Sequence, residues 1–428
     1  MPPRSHASAF VLAALSGSLL AALSSCSDSS ASGADSSGRA SAQGATPAAV
    51  LVDRAIPSAQ RELLSLAFEA ASAIPEHPHI KSKLRAQDEV LSTCLELDLP
   101  LTTSRWLEQV QGWRRGALHA DLAHWLAEHD SSEAALEQIQ RARAYEESPI
   151  GNPSAQEWRR DRVRAKVGRA YLALGRGADA EPLLTGLADS EQGLVAVARV
   201  EKLEEKDFAL QLEALDAILG IAGMDAARAA LEACATLHAR FYADAEKRAA
   251  LEQRVRANSQ KLPFEIRLAL LQHLAQNALA NADPVRARSL AVELQGLIDG
   301  ASWLLEDELR LRAELAGLRH RAGDGLLARQ DLDALLARYE SERERITDIY
   351  RSRVLRAIAA AYQMQGDASR SLAIYTRAAE EGFANPNALP RAEDLLATCC
   401  AIARSGLEPE PAQLERLRTL RGSLRQPW

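Results

Sequence analysis

Histidine and cysteine are the side chains of this sequence that could bind a metal or attack a substrate, so their spacing limits the available chemistry. His119, His124 and His129 recur every five residues. On a helix each such step turns the side chain by about 500°, so the three cannot share one metal ion, which needs ligands three or four residues apart. The turn at 76–79 holds two histidines but no third ligand. The sequence therefore predicts no metal site and no cofactor.

The thiols beyond Cys26 give no sign of a reactive site. Cys94 and Cys234 are isolated, and Cys399 and Cys400 are adjacent within a helical pattern, where a bridge between neighbours would be strained. No recognisable base lies close to any of them in sequence. We expect buried, unreactive thiols. A bridge between Cys94 and Cys234 remains open, because an oxidising compartment would permit it.

Cys26 differs from the other cysteines, because it lies at the end of an N-terminal segment typical of exported proteins. Arg4 precedes a 15-residue apolar stretch at 9–23, which is shorter than the about 20 residues of a membrane-spanning helix. The stretch ends in Leu23-Ser24-Ser25-Cys26, which resembles the lipobox of bacterial lipoproteins. The resemblance implies cleavage before Cys26 and acylation of its thiol. Ser27 stands where an Asp tends to retain such proteins in the inner membrane, which favours the outer membrane, facing the periplasm.

The chain after Cys26 divides by composition into a tether and a folded part. Residues 27–49 are mostly Ser, Gly and Ala with few charges, which predicts a flexible, disordered tether. We therefore assign 1–25 to a lipoprotein signal peptide, 26–49 to the lipidated cysteine and its tether, and 50–428 to one folded array. The lipid would attach the protein to the membrane of a bacterial cell envelope.

The folded part has the composition of an all-α protein, and its breaks are of the kind found at helix ends. Aromatic residues make up only 4% of the 428 residues, and amphipathic runs alternate with breaks that contain Pro, Gly, Asn or Asp. Gly175-Arg176-Gly177 follows a helical run, so it predicts a helix end and not a phosphate loop. The formal net charge is −7 without a basic block, which argues against nucleic acid as a partner.

A repeated pattern places a turn residue between paired helices. Large and small residues precede the turn, and a small residue follows it five positions later, so that two antiparallel helices can approach closely. The turn positions of the five copies are Asp130, Gly175, Ala282, Gly323 and Gly366. The two best copies are Val167-Gly168, Tyr171, Gly175, Ala180, Leu184, Leu187 and Ile358-Ala359, Tyr362, Gly366, Ser371, Tyr375, Ala378.

This pattern resembles the tetratricopeptide repeat, which implies a right-handed α-solenoid of antiparallel helix pairs. The copies differ from the family in spacing: Gly323 and Gly366 lie 43 residues apart, against about 34 in the family. Residues 190–260 match poorly. In the family the first helix of each pair lines a concave groove. On the copies found here that face carries arginines suited to carboxylates: Arg162, Arg169, Arg310, Arg321, Arg353 and Arg356.

These features favour a lipid-anchored envelope scaffold that binds a protein or peptide in its groove and performs no catalysis. Two other classes stay open. One is an enzyme built on an α/α toroid and acting on polysaccharide, which would need aromatic platforms and clustered acids. The other is a purely structural subunit of the envelope.

Overall fold

The computed structural model describes residues 51–145, 157–188, 191–221, 223–425 and 427–428. The signal peptide, Cys26 and the tether predicted at 26–49 lie outside the described residues. Within those residues the chain forms nineteen α-helices and no β-strand, as the composition and the alternation of amphipathic runs with breaks predict. The fold is an all-α solenoid of helix pairs.

The helices have the following bounds: α1 (Ser58–Ala73), α2 (Glu76–Glu96), α3 (Pro100–Leu107), α4 (Trp113–Glu128), α5 (Ser132–Arg143), α6 (Glu157–Ala173), α7 (Gly177–Leu184), α8 (Gln192–Glu201), α9 (Phe208–Ile221), α10 (Met224–Arg240), α11 (Ala245–Ser259), α12 (Phe264–Ala280), α13 (Pro284–Asp299), α14 (Leu305–Arg321), α15 (Gly325–Glu342), α16 (Asp348–Met364), α17 (Ala368–Phe383), α18 (Ala388–Ser405) and α19 (Pro411–Gly422). The poorly matching stretch 190–260 therefore also folds as helices.

The five predicted turn positions all adopt the left-handed backbone conformation. Their φ angles are 56° at Asp130, 71° at Gly175, 54° at Ala282, 99° at Gly323 and 79° at Gly366. Each of these residues lies between the two helices of a pair, directly before the N-cap residue of the second helix. Glycine tolerates this conformation because it has no Cβ, and aspartate accepts it better than most residues do. The prediction of helix pairs that turn at these positions is confirmed.

Ala282 occupies a left-handed position that alanine disfavours, which makes it a target for stabilisation. Replacing Ala282 with glycine should raise the free energy of unfolding by about 1 kcal/mol, because the strain of a Cβ at positive φ outweighs the extra freedom of glycine in the unfolded chain. Urea unfolding measures the change. The control is Ala280→Gly at the last residue of α12, where glycine should destabilise. Equal losses in both variants would contradict the prediction.

The even-numbered helices form a continuous series that closes on itself. Each even-numbered helix packs against the next even-numbered one, from α2 through α18, and α18 packs back against α2. Every odd-numbered helix packs against an even-numbered neighbour in the chain. We call the nine even-numbered helices the even layer. Its closure places the first and last helices of the array in contact, which the repeat pattern does not predict.

The closing contact between the two ends is both apolar and polar. One hydrophobic core contains Leu63 and Val90 from the first helices together with Cys400 from α18. Gln60 Nε2 donates to the Ala403 carbonyl oxygen at 2.5 Å. Two ion pairs add to this seam: Arg85 with Glu393 at 2.7 Å and Arg404 with Glu96 at 2.6 Å. The seam is therefore a packed interface between chain segments more than 300 residues apart.

The four cysteines of the described part are buried and unbridged, as expected for inert thiols. Cys94, Cys234, Cys399 and Cys400 are all fully buried, and no disulfide joins Cys94 to Cys234. Burial raises the pKa of each thiol, which disfavours the reactive thiolate.

Candidate functional site

The six arginines singled out from the repeat register all belong to the even layer. They lie on three helices: Arg162 and Arg169 on α6, Arg310 and Arg321 on α14, and Arg353 and Arg356 on α16. Helices α14 and α16 are direct neighbours, and Arg310 lies close enough to Arg353 to lower its pKa. The α6 arginines have their own partners and belong to a separate part of the layer. Arg321 is exposed at the last residue of α14.

Most of these arginines are already bonded to carboxylates of the protein. Both oxygens of Glu201 accept from Arg169, at 2.6 and 2.9 Å. Arg356 donates to Asp394 at 2.9 Å and to the Ser352 hydroxyl at 2.7 Å. Acids of neighbouring helices therefore neutralise the charge of these two arginines.

Two further arginines are paired in the same way. Arg162 bonds Glu191, and Arg310 donates to Glu314 of its own helix at 3.0 Å. The side chain of Arg310 is only 14% exposed and that of Arg356 only 18%. Removing either charge would therefore affect folding.

The acids that the sequence reading missed connect successive helices of the even layer. Asp88 on α2 accepts from Arg114 on α4 at 2.7 Å. Asp121 on α4 bonds Lys166 on α6. Together with the pairs formed by Arg169, Arg356 and the seam, they link α2, α4, α6, α8, α16 and α18. A search of the helix faces for acids as well as bases would have suggested a mixed-charge surface.

Burial and the nearby cations have opposite effects on the pKa of the carboxyl groups of this surface. Burial raises the pKa of Asp88, and the nearby cations Lys166 and Arg114 oppose that rise. Burial likewise raises the pKa of Asp394, and Arg356 opposes it. The cations therefore favour the charged form of carboxyl groups that their low-dielectric surroundings would otherwise favour protonated.

Arg353 differs from the paired arginines of the even layer. It makes no hydrogen bond or ion pair with another described residue. Burial lowers its pKa and the charge of Arg310 lowers it further, while the charges of Asp307, Glu314 and Glu265 oppose the change. The Nε atom of Arg310 is itself buried without a hydrogen-bond partner among the described residues. A partly buried arginine whose guanidinium bonds no other described residue has unused capacity to donate to an anionic group.

The described residues contain no group of three or more His, Cys, Asp or Glu side chains arranged to hold a metal ion. His119 Nδ1 donates to Gln138 Oε1 at 2.8 Å in the interior, and the ring of His129 stacks on Trp125 with 3.7 Å between centroids. These histidines therefore have structural contacts of different kinds and do not converge.

None of the helices in the described part is both long and apolar enough to cross a lipid bilayer. A scan against models of known protein families finds no match, and a search of curated proteins returns no significant relative.

Proposed function

We propose that this protein is a lipid-anchored scaffold of a bacterial cell envelope that binds a protein or peptide partner on its even layer and performs no catalysis. The observation that carries the proposal is Arg353, a partly buried cation that forms no hydrogen bond or ion pair with another described residue, beside the paired Arg310. A partner carboxylate at this position would supply the missing hydrogen-bond acceptors. Anchoring through Cys26 would hold the array near the outer membrane, facing the periplasm.

The anchor is tested by replacing Cys26 with serine in the full chain. Because only a thiol accepts the lipid of the lipobox pathway, the variant should remain uncleaved or become soluble, and the mass of the mature lipidated form should disappear. Membrane fractionation and intact mass measurement give the result. A Cys26→Ser protein of normal mature mass in the membrane fraction would refute lipidation.

The binding surface is tested with a photo-crosslinking amino acid at Ala360. This position lies seven residues after Arg353 and therefore on the same face of α16. We expect adducts with a partner protein in envelope preparations, and at least a tenfold loss of adduct when Arg353 is replaced by glutamate. Because the new carboxylate would also face the charges of Asp307, Glu314 and Glu265, circular dichroism of the variant must show the wild-type fold for the loss of adduct to count. The matched control is Arg288→Glu on α13, an exposed arginine without an ion pair to another described residue.

The outcomes separate the three classes of function. An adduct that depends on Arg353 and not on Arg288 supports the scaffold. Equal adducts in both variants, or none at all, contradict it. Release of sugar fragments from envelope polysaccharide by the purified protein would instead support the enzyme, and crosslinks only between copies of this chain would support a structural subunit.

Two observations keep the enzyme as the second candidate. The closure of the even layer is the helix arrangement that an α/α toroid requires. Trp113 and Trp158 lie edge to face with 5.2 Å between ring centroids, and Trp158 is exposed at the start of α6. Exposed tryptophans can stack on sugar rings, so loss of binding to soluble envelope glycans in Trp158→Ala would favour this candidate over the scaffold.

A further inference from the structure

Helices α2 and α18, which meet at the seam, run parallel with a fixed offset. Arg85 on α2 pairs with Glu393 on α18, and Glu96 on α2 pairs with Arg404 on α18. In each pair the two residues are 308 positions apart in the chain. Because this separation is the same at two points along α2, a residue of α2 lies beside the residue of α18 whose number is 308 higher.

This register brings Cys94 of α2 next to Cys400 of α18. Cys400 lies beside position 92, two residues before Cys94, which is an offset of about 3 Å along the helix axis. The Thr93 side chain hydrogen-bonds the Cys400 thiol. Burial raises the pKa of Cys94 and the neighbouring Cys400 raises it further, whereas burial and Cys400 account for the raised pKa of Cys399. Cys400 is therefore the cysteine that faces Cys94.

The packing of two neighbouring helices leaves facing cysteines at the spacing that a disulfide needs. Packed helices have axes about 8–10 Å apart and Cα atoms at a radius of about 2.3 Å, so facing Cα atoms come within about 4–6 Å of each other. A disulfide joins residues whose Cα atoms are about 4.4–6.8 Å apart, and a small axial offset stays within that range. Both thiols are free in this structure, and both are 0% exposed in the same hydrophobic core.

The other two cysteines of the described part do not occupy this position. Cys234 lies on α10, in a separate hydrophobic core. Cys399 is the neighbour of Cys400 in the chain and is therefore turned by about 100° around α18. Because both are as deeply buried as Cys94 and Cys400, they provide matched controls.

We propose that Cys94 and Cys400 form a disulfide in the exported protein, and that this bond locks the seam between the first and last helices of the even layer. The inference rests on the proposed function, because export supplies the oxidising compartment in which disulfides form. The bond makes the closure of the even layer covalent. It closes a loop of about 300 residues, and in the chain-entropy model long loops gain the most stability from such a link.

The bond requires an oxidant, and a thiol–disulfide oxidoreductase is the chemical class that supplies it. The thiolate of one cysteine attacks the disulfide of the oxidoreductase, which gives a mixed disulfide and releases one thiolate of that protein. The thiolate of the other cysteine then attacks the sulfur of the first, forms the new disulfide and releases the second thiolate. The pair loses two electrons and two protons, and the oxidoreductase takes up both and becomes a dithiol. Because both thiols are buried in the closed fold, the exchange precedes closure of the seam.

The test recovers the full-length protein from bacterial envelopes by acid precipitation, blocks free thiols with N-ethylmaleimide and digests the protein with trypsin without reductant. We expect peptide 86–105, which contains Cys94, to be linked to peptide 392–404, which contains Cys400, and dithiothreitol to separate them. Cys399 lies in the same peptide as Cys400, so variants identify the bonded cysteine. Cys94→Ala and Cys400→Ala should lose the link, and Cys399→Ala and Cys234→Ala should keep it.

Urea unfolding measures whether the bond locks the seam. Dithiothreitol should raise the equilibrium constant for unfolding of the wild-type protein by at least about tenfold, because the reduced chain regains the freedom that the link removes. Cys400→Ala should show no response to dithiothreitol, and Cys399→Ala should respond as the wild type does.

The remaining outcomes overturn the inference or separate it from the proposed function. Mature lipidated protein with N-ethylmaleimide on both Cys94 and Cys400 would overturn it and leave the envelope location standing. A link that persists in Cys400→Ala would assign the bond to Cys399, and an unchanged unfolding constant would show that the bond does not lock the seam. If the chain proves not to be lipidated, refolding of the purified protein in a glutathione redox buffer tests the pairing alone: linked peptides support it, and free thiols overturn it.

Discussion

Replacing Glu252 with alanine is expected to lower the free energy of unfolding by about 3–5 kcal/mol, because it removes the buried carboxylate shared by two arginines and a histidine. Glu252 accepts from Arg286 at 2.9 Å and from Arg256 at 3.0 Å, and it lies 3.3 Å from His238 Nε2. Its side chain is 2% exposed. The variant leaves the half-buried Arg286 without its carboxylate partner and Arg256 with Glu293 alone.

Chemical unfolding at neutral pH measures the loss, and Glu293→Ala provides the control. Glu293 accepts from the same Arg256 with both oxygens, at 2.8 and 2.9 Å, but it is 35% exposed. Solvent replaces an exposed carboxylate at small cost, so this variant should lose less than about 1 kcal/mol. If the two variants lose the same amount, burial is not what makes Glu252 important.

The turns could be predicted from sequence because they depend on residues close together in the chain. A left-handed residue between two helices needs a small or flexible side chain at one position, and the pattern of large and small residues on either side fixes that position. Gly175, Gly323 and Gly366 meet this requirement directly. Ala282 was found only because the surrounding spacing matched, since its own residue type does not indicate a left-handed turn.

The ion-pair partners of the arginines could not be predicted in the same way, because these partners lie on other helices. Arg169 and Glu201 are 32 residues apart, and Arg356 and Asp394 are 38 apart. Repeat register indicates which face of a helix an arginine occupies, but the charge opposite it depends on how the next helix is rotated. A shift of one residue turns a side chain by about 100°.

The closure of the even layer could not be predicted from the sequence either. It depends on contacts such as that of Gln60 with Ala403, 343 residues away, and no periodic signal in the chain reports whether the accumulated rotation of many helix pairs brings the ends together.

His124 lies on α4 of the even layer in surroundings that disfavour its charged form. Burial lowers its pKa from 6.5 to about 3, and the nearby cations Arg169, Lys202 and Lys166 add to the effect. Its Nδ1 atom is buried and has no hydrogen-bond partner among the described residues. The native protein therefore holds this histidine neutral at pH values at which the unfolded chain would bind a proton.

Replacing His124 with phenylalanine should therefore flatten the acid side of the stability profile. Above about pH 6.5 both states hold a neutral imidazole, and the variant should be as stable as the wild type or slightly more so. Between pH 6.5 and pH 4 only the unfolded wild type takes up the proton, so His124 should cost the native state about 3 kcal/mol over this interval, and the variant should not lose that amount. Urea unfolding of both proteins at half-unit pH steps gives the difference between the profiles. Parallel profiles down to pH 4 would show that His124 is protonated in the folded protein with an ordinary pKa, and that burial and the three cations do not suppress its charge.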